Sequence, residues 1–138
     1  MNVAIIGCSG MGRIHAAMAV ACGLKISVCA DKVKAAAETL ANLYGAEALT
    51  DGLQAIKRKD VDIVLIATPT PSHKLLIKAA VDAGKAIFAE KPLCRTVEDC
   101  KEVLAYAKQK KARLFVGHVV RYFQEFEAMR SQISSGKI

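Results

Sequence analysis

Short β-branched runs recur along the chain with helical periodicities between them. Val3 to Ile6, Ile26 to Cys29, Glu47 to Leu49, Val61 to Ile66, Ala86 to Ala89 and Leu114 to Val116 read as strands, the third being the weakest. A half-exposed strand would alternate apolar and polar residues. Val61-Asp62-Ile63-Val64-Leu65-Ile66 is instead nearly continuous, as a parallel strand covered on both faces should be. Between the runs, helix boundaries are written locally. In Thr96-Val97-Glu98-Asp99 a hydroxyl can serve the free amides of a helix start, with an acid at the third helical position, which predicts a helix to about Gln109. Its apolar positions Val97, Cys100, Leu104 and Ala107 fall three or four apart and predict a buried face opposite Lys101, Glu102 and Lys108. Gly45 after Leu43-Tyr44, and Gly84 after Val81-Asp82-Ala83, stand where a helix end takes a left-handed residue. A last helix is expected over Tyr122 to Ser134, with Phe126, Met129 and Ile133 on one side and Gly136 at its stop.

The resulting order is βαβαβαβαβαβα. Right-handed crossovers then leave few topologies besides an α/β doubly wound parallel sheet of about six strands with helices on both faces. A closed barrel needs about eight such units. One domain over residues 1–138 is expected, with no internal repeat and no low-complexity linker.

Composition narrows the class. Hydrophobic residues make up 53% and charged residues 24%, far from the corner where chains stay unfolded. No apolar run reaches the roughly 18 residues of a membrane span, and Val3-Ala4-Ile5-Ile6-Gly7 is too short for a signal-peptide core, so a cytoplasmic protein is expected. The net charge of +7 would suit an anionic partner, but its distribution does not. Lys57-Arg58-Lys59 and the Lys108, Lys110, Lys111 group fall at helix ends, where cations meet the negative end of the dipole and stay solvated. With 5% aromatic residues there is no platform for stacking bases, so nucleic acid is not an expected partner. Cys8, Cys22, Cys29, Cys94 and Cys100 include no CxxC pair; reduced and mostly buried thiols, and no metal site, are expected.

The candidate chemistry begins directly after the first strand, at Gly7-Cys8-Ser9-Gly10-Met11-Gly12-Arg13. At a strand-to-helix turn the first amides of the helix lack intrahelical partners and the positive dipole end faces outward, so a diphosphate supplies the missing acceptors. Against a GxGxxG pattern, Gly7 and Gly12 match the first and third glycines, while Ser9 stands at the second with Gly10 beside it. The serine can offer its amide and hydroxyl, though its Cβ would hold a ligand farther out. Asp31 ends the second strand, 19 residues past Gly12, where a carboxylate can accept both adenosine ribose hydroxyls and repel a 2′-phosphate. That favours NAD over NADP, with Lys32 and Lys34 as partial compensation for the latter. A second reading of Asp31 is the N-cap of the next helix, and both roles can hold together.

Two further loops follow strand ends and so face the same crevice: Ala67-Thr68-Pro69-Thr70-Pro71-Ser72-His73 and Ala89-Glu90-Lys91-Pro92-Leu93. With Gly7 to His15, and with Val116-Gly117-His118-Val119-Val120-Arg121-Tyr122-Phe123, they resemble the glucose-fructose oxidoreductase / inositol dehydrogenase family of NAD(P)-dependent enzymes over essentially the whole chain. That resemblance implies a Rossmann fold. It implies that Gly7, Ser9, Gly10, Met11, Gly12 and Asp31 bind the cofactor, with Thr68, Pro69 and His73 on a cofactor loop. Glu90 and Lys91 would lie beside the nicotinamide ring, with Lys91 catalytic. It further implies a polyol or sugar-like substrate whose secondary alcohol is oxidised by hydride transfer, and a second, substrate-binding domain carrying a further His and Asp. The chain is then expected to be the cofactor domain of a longer enzyme, catalytically incomplete and monomeric by itself.

Lys91 has two possible parts. As a neutral base near pH 7 it would need burial or nearby cations to cost its ammonium about 4 kcal/mol. As a charged group stabilising a developing alkoxide it asks less of this chain. His15 reads as a packing or capping group, and His118 is ambiguous. A cis peptide is expected at Lys91-Pro92, an X-Pro bond in a tight loop. The alternative function is a redox sensor or regulatory module of the same fold, which needs no lysine at the ring. A dihydrodipicolinate reductase would share the glycine turn but needs a His-rich segment, and the chain has only three histidines.

Overall fold

A computed structural model describes residues 1–138. Six parallel strands, β1 (Asn2–Ile6), β2 (Lys25–Ala30), β3 (Glu47–Leu49), β4 (Ile63–Ile66), β5 (Ala86–Ala89) and β6 (Leu114–Val116), form one sheet in the order β3-β2-β1-β4-β5-β6. The helices are α1 (Gly10–Ala21), α2 (Lys34–Tyr44), α3 (Gly52–Lys57), α4 (His73–Asp82), α5 (Val97–Gln109) and α6 (Gln124–Ser134). This is the expected doubly wound sheet. Its strand order reverses between β1 and β4, where the two halves of the chain wind away from each other and leave a crevice at the strands' carboxyl ends.

The continuous apolar strands are explained by their two covered faces. Ala4, Ile6, Val28, Ala30, Val64 and Ile66 point to one side, where Ile56 of α3, Leu76 and Ile77 of α4 and Val103 and Ala107 of α5 close a large core. Val3, Ile5, Ile26, Cys29 and Leu65 point to the other, against Ala16 and Ala19 of α1 and Ala37, Leu40 and Ala41 of α2. Along the central strands β1 and β4 successive residues therefore serve opposite cores, whereas at the β6 edge Phe115 is 65% exposed.

The strand ends differ from expectation only at their margins. Val61 is buried but precedes β4, which starts at Ile63. The cap on α5 is as expected, with the Thr96 hydroxyl accepting from Asp99 N–H at 3.1 Å. Its buried face is not. Val103 and Ala107 are buried with Cys100 partly so, while Val97 and Leu104 are 63% and 51% exposed. Three-four spacing fits two neighbouring stripes of one helix, and the sheet selected the stripe led by Val103. Asp99 and Glu102 instead face α4, where Lys74 bridges them at 2.8 and 2.5 Å and holds both carboxyls below their usual range.

The final helix starts later than expected. Val119–Tyr122 is a separate 3₁₀ turn and α6 begins at Gln124, with none of its residues buried. No helix is long and apolar enough to cross a membrane.

Candidate functional site

The glycine turn is built by close approach of main chain to main chain. Gly7, at φ +92°, would place a Cβ 2.6 Å from the Ala67 carbonyl, and Gly12 would place one 1.8 Å from the Gly7 carbonyl oxygen. The turn after β1 is thus pressed between the loop after β4 and the first turn of α1, with no space for any side chain. This packing aims α1 at the crevice. Ser9 is its N-cap residue and makes no side-chain cap bond, and no protein acceptor faces the amides of Ser9, Gly10 and Met11. A Cβ on Gly10 would meet nothing within 4 Å. Open amides, an exposed serine hydroxyl and an uncovered approach together fit the diphosphate of a dinucleotide.

Asp31 lies beside this turn. Its Oδ2 accepts from Cys8 N–H at 2.8 Å and its Oδ1 from Val33 N–H at 2.9 Å. It is not the N-cap of α2, a position held by Val33. The carboxylate joins the glycine turn to the end of β2, and each oxygen keeps a second lone pair for a hydroxyl. Beneath it, the neighbouring Cys29 thiol, then burial and the charge of Asp31, push the Cys8 thiol above the ordinary thiol range, and its sulfur lies 3.4 Å from the Ala30 carbonyl. Cys8 therefore stays protonated and supplies no nucleophile at the turn.

The loops after β4 and β5 are tied together by His73. Its ring is 1% exposed, with Nε2 2.8 Å from the Thr68 carbonyl and Nδ1 3.1 Å from the Pro92 carbonyl. Both ring nitrogens face the protein's own carbonyl oxygens, so what this histidine brings to the crevice is the placement of two loops. Ser72 Oγ bonds Thr68 Oγ1 at 2.7 Å and the Pro69 carbonyl at 2.8 Å, fixing the first of them. The Lys91-Pro92 peptide is cis, the isomer expected for this bond.

Glu90 is 6% exposed and accepts at both oxygens, Oε1 from His15 Nε2 at 2.6 Å and Oε2 from Lys91 N–H at 3.0 Å. Its partner His15 stands edge-on to Phe88, ring centroids 5.0 Å apart. The sequence places His15 inside α1 but holds no local signal that it reaches β5, because the contact spans 75 residues. The Lys91 side chain is exposed and forms no ion pair. It shares the wall of a cavity of about 490 Å³ with Pro92, Gly117, His118 and Arg121, so the β6 end does meet the lysine loop. A second cavity of about 360 Å³ is apolar, lined by Met18, Leu65, Phe88 and Phe115, and carries none of the candidate groups except the ring of His15. No group of three or more His, Cys, Asp or Glu side chains stands where it could hold a metal ion.

Comparison with known proteins agrees with this geometry. The family described as "Oxidoreductase family, NAD-binding Rossmann fold" matches residues 1–118. The inositol 2-dehydrogenase of Rhizobium meliloti is 38% identical over 136 residues, which is 97% of this chain and 41% of that protein. Inositol 2-dehydrogenase 1 of Mycolicibacterium vanbaalenii is 34% identical, covering 100% of this chain and 41% of its own length. Among solved structures, myo-inositol dehydrogenase from Lactobacillus casei in complex with NAD(H) and myo-inositol superposes with a TM-score of 0.91 at 27% identity, over 99% of this chain and 42% of that one. The chain thus spans about two fifths of the length of these relatives. With its 3-2-1-4-5-6 sheet, its glycine turn and its Glu90-Lys91-Pro92 loop, the chain belongs to the glucose-fructose oxidoreductase / inositol dehydrogenase family of oxidoreductases, and it carries that family's NAD-binding Rossmann fold.

Proposed function

We propose that the chain is the NAD-binding domain, over residues 1–138, of an enzyme that oxidises a secondary alcohol of an inositol or similar polyol. The observation that carries this reading is that the loops after β1, β4 and β5 meet at one edge of the sheet, Gly7 against Ala67 and His73 between the Thr68 and Pro92 carbonyls, with the unpaired Lys91 beside them. In this reading the amides of Ser9, Gly10 and Met11 hold the diphosphate and Asp31 accepts from the adenosine ribose hydroxyls. Thr68 and Pro69 border the middle of the cofactor, and Glu90 and Lys91 flank the nicotinamide end. The relatives' names and the inositol bound to the Lactobacillus casei enzyme support a polyol as substrate.

When bound, NAD accepts a hydride from the substrate carbon. The chain's own contribution is charge and position. The Lys91 ammonium, free of any carboxylate partner, stabilises negative charge developing on the substrate oxygen. His73 holds the two loops at a fixed separation. With Lys91 acting as the charged group, the hydroxyl proton needs a separate base. A sensor of the same fold has no use for an unpaired lysine at this position, which favours the enzyme.

The Asp31 assignment also sets the cofactor preference. A 2′-phosphate would meet the Asp31 carboxylate directly, so NAD should bind more tightly than NADP. Isothermal titration of the chain should show this order. It should also show NAD weakened by about tenfold to a hundredfold in Asp31→Ala, the worth of a lost pair of hydrogen bonds to a charged group. Undiminished NAD binding in that variant would remove the ribose assignment.

A further inference from the structure

One buried polar contact is left without a role by the reaction itself, and it joins the two ends of the crevice. His15 belongs to α1, whose N-terminus faces the diphosphate; Glu90 belongs to the loop that carries Lys91. Their side chains meet at 2.6 Å and are 11% and 8% exposed. The carboxylate has no freedom to leave. Phe88 packs against the imidazole edge, and a Cβ on Gly117 would lie 3.2 Å from Glu90 Oε1 and 3.3 Å from the Phe88 ring, so the end of β6 closes over the pair. The other oxygen, Oε2, is held by Lys91 N–H at 3.0 Å.

The consequence concerns the residue next door. A long lysine side chain can fold back onto a carboxylate one residue earlier when that carboxylate has no other partner, and opposite charges brought that close attract strongly wherever solvent is partly excluded. Here His15 takes Oε1 and the Lys91 main chain takes Oε2. The ammonium is therefore left unpaired at the wall of the cavity it shares with His118 and Arg121.

We infer that His15 is a positioning residue: by occupying Glu90 it fixes the main chain of Lys91 and keeps the lysine amine directed to the nicotinamide end of the crevice instead of toward Glu90. The inference rests on the reading of Lys91 as the ring-side lysine.

The test compares NAD with ADP-ribose, which shares the adenosine, the diphosphate and the second ribose but lacks the nicotinamide. Titration of the chain carrying His15→Leu should weaken NAD about tenfold, while ADP-ribose stays within about twofold, the scale of one buried hydrogen bond to a charged group. His15→Gln, which keeps an N–H directed at Glu90, should restore most of the NAD affinity. Glu90→Gln removes the charge that would draw the ammonium, so added to His15→Leu it should recover most of the NAD affinity that His15→Leu loses. A merely structural role would weaken both ligands together, since damage to α1 disturbs the diphosphate amides; that result in His15→Leu, or a double variant no better than His15→Leu, would overturn the inference. If the unaltered chain prefers NAD to ADP-ribose and His15→Leu keeps that preference, His15 alone loses its role. If the unaltered chain binds ADP-ribose as tightly as NAD, the ring makes no contact with this crevice, and the reading of Lys91 falls together with the inference.

Discussion

Gly12→Ala is expected to cost the chain its stable fold at the glycine turn. The added methyl would stand 1.8 Å from the Gly7 carbonyl oxygen and 2.9 Å from its carbon. Neither atom can retreat, because Gly7 is itself pressed against Ala67, where a Cβ would meet main chain at 2.6 Å. Overpacking against side chains costs about 1–3 kcal/mol. Overpacking against two immobile backbones belongs at or above the top of that range. For a domain of this size about 3 kcal/mol lowers the melting temperature by roughly 10 °C or more, and NAD binding should be lost with the turn. Gly10→Ala is the informative contrast. Its methyl meets nothing within 4 Å, but the residue sits at φ +41°. That variant should fold with a penalty of about 1 kcal/mol, and any larger loss in binding reports a ligand passing over the turn. A melting curve for Gly12→Ala equal to that of the unaltered chain would contradict the packing described here.

The second large effect is on the reaction. In an enzyme of the relatives' full length that carries this domain, Lys91→Met should lower kcat for polyol oxidation by about a hundredfold to a thousandfold, the range for removing one group that stabilises developing oxyanion charge. NAD affinity should fall by no more than about tenfold, the loss expected when His15→Leu displaces the same amine. The side chain is exposed and unpaired, so its loss disturbs neither core nor ion pair, and the melting temperature should stay where it was. Steady-state kinetics with a saturating cofactor separates these quantities. An unchanged kcat would take the lysine out of the chemistry.

Much of this was legible in the sequence because the relevant signals are local. A parallel strand buried on both faces writes an unbroken apolar run, and Val61 to Ile66 did so plainly enough to place the centre of the sheet. Gly7 and Gly12 were legible because close approach of backbones admits no other residue. The stripe chosen on α5 was not legible: Val97 and Leu104 satisfy the same spacing as Val103 and Ala107, and only the position of the sheet decides between them. The start of α6 falls two residues later than the expected Tyr122, because Tyr122 closes a separate 3₁₀ turn and Phe123 is the extended residue that precedes the helix. At the candidate site, the family resemblance points to Glu90 and Lys91 but not to the histidine that holds Glu90, and it implies a cofactor loop for His73 without showing that its ring is buried between two carbonyls. Both are contacts between distant segments, visible only once the strands have brought their loops to one edge.

A crystal structure of the chain soaked with NAD reads the site in a single step. The diphosphate should lie on the amides of Ser9, Gly10 and Met11, the adenosine ribose on Asp31, and the nicotinamide ring against Glu90 with the Lys91 amine on its open side. A coenzyme bound away from the switch between β1 and β4, or a ring whose neighbours do not include Lys91, would contradict the function proposed for this crevice.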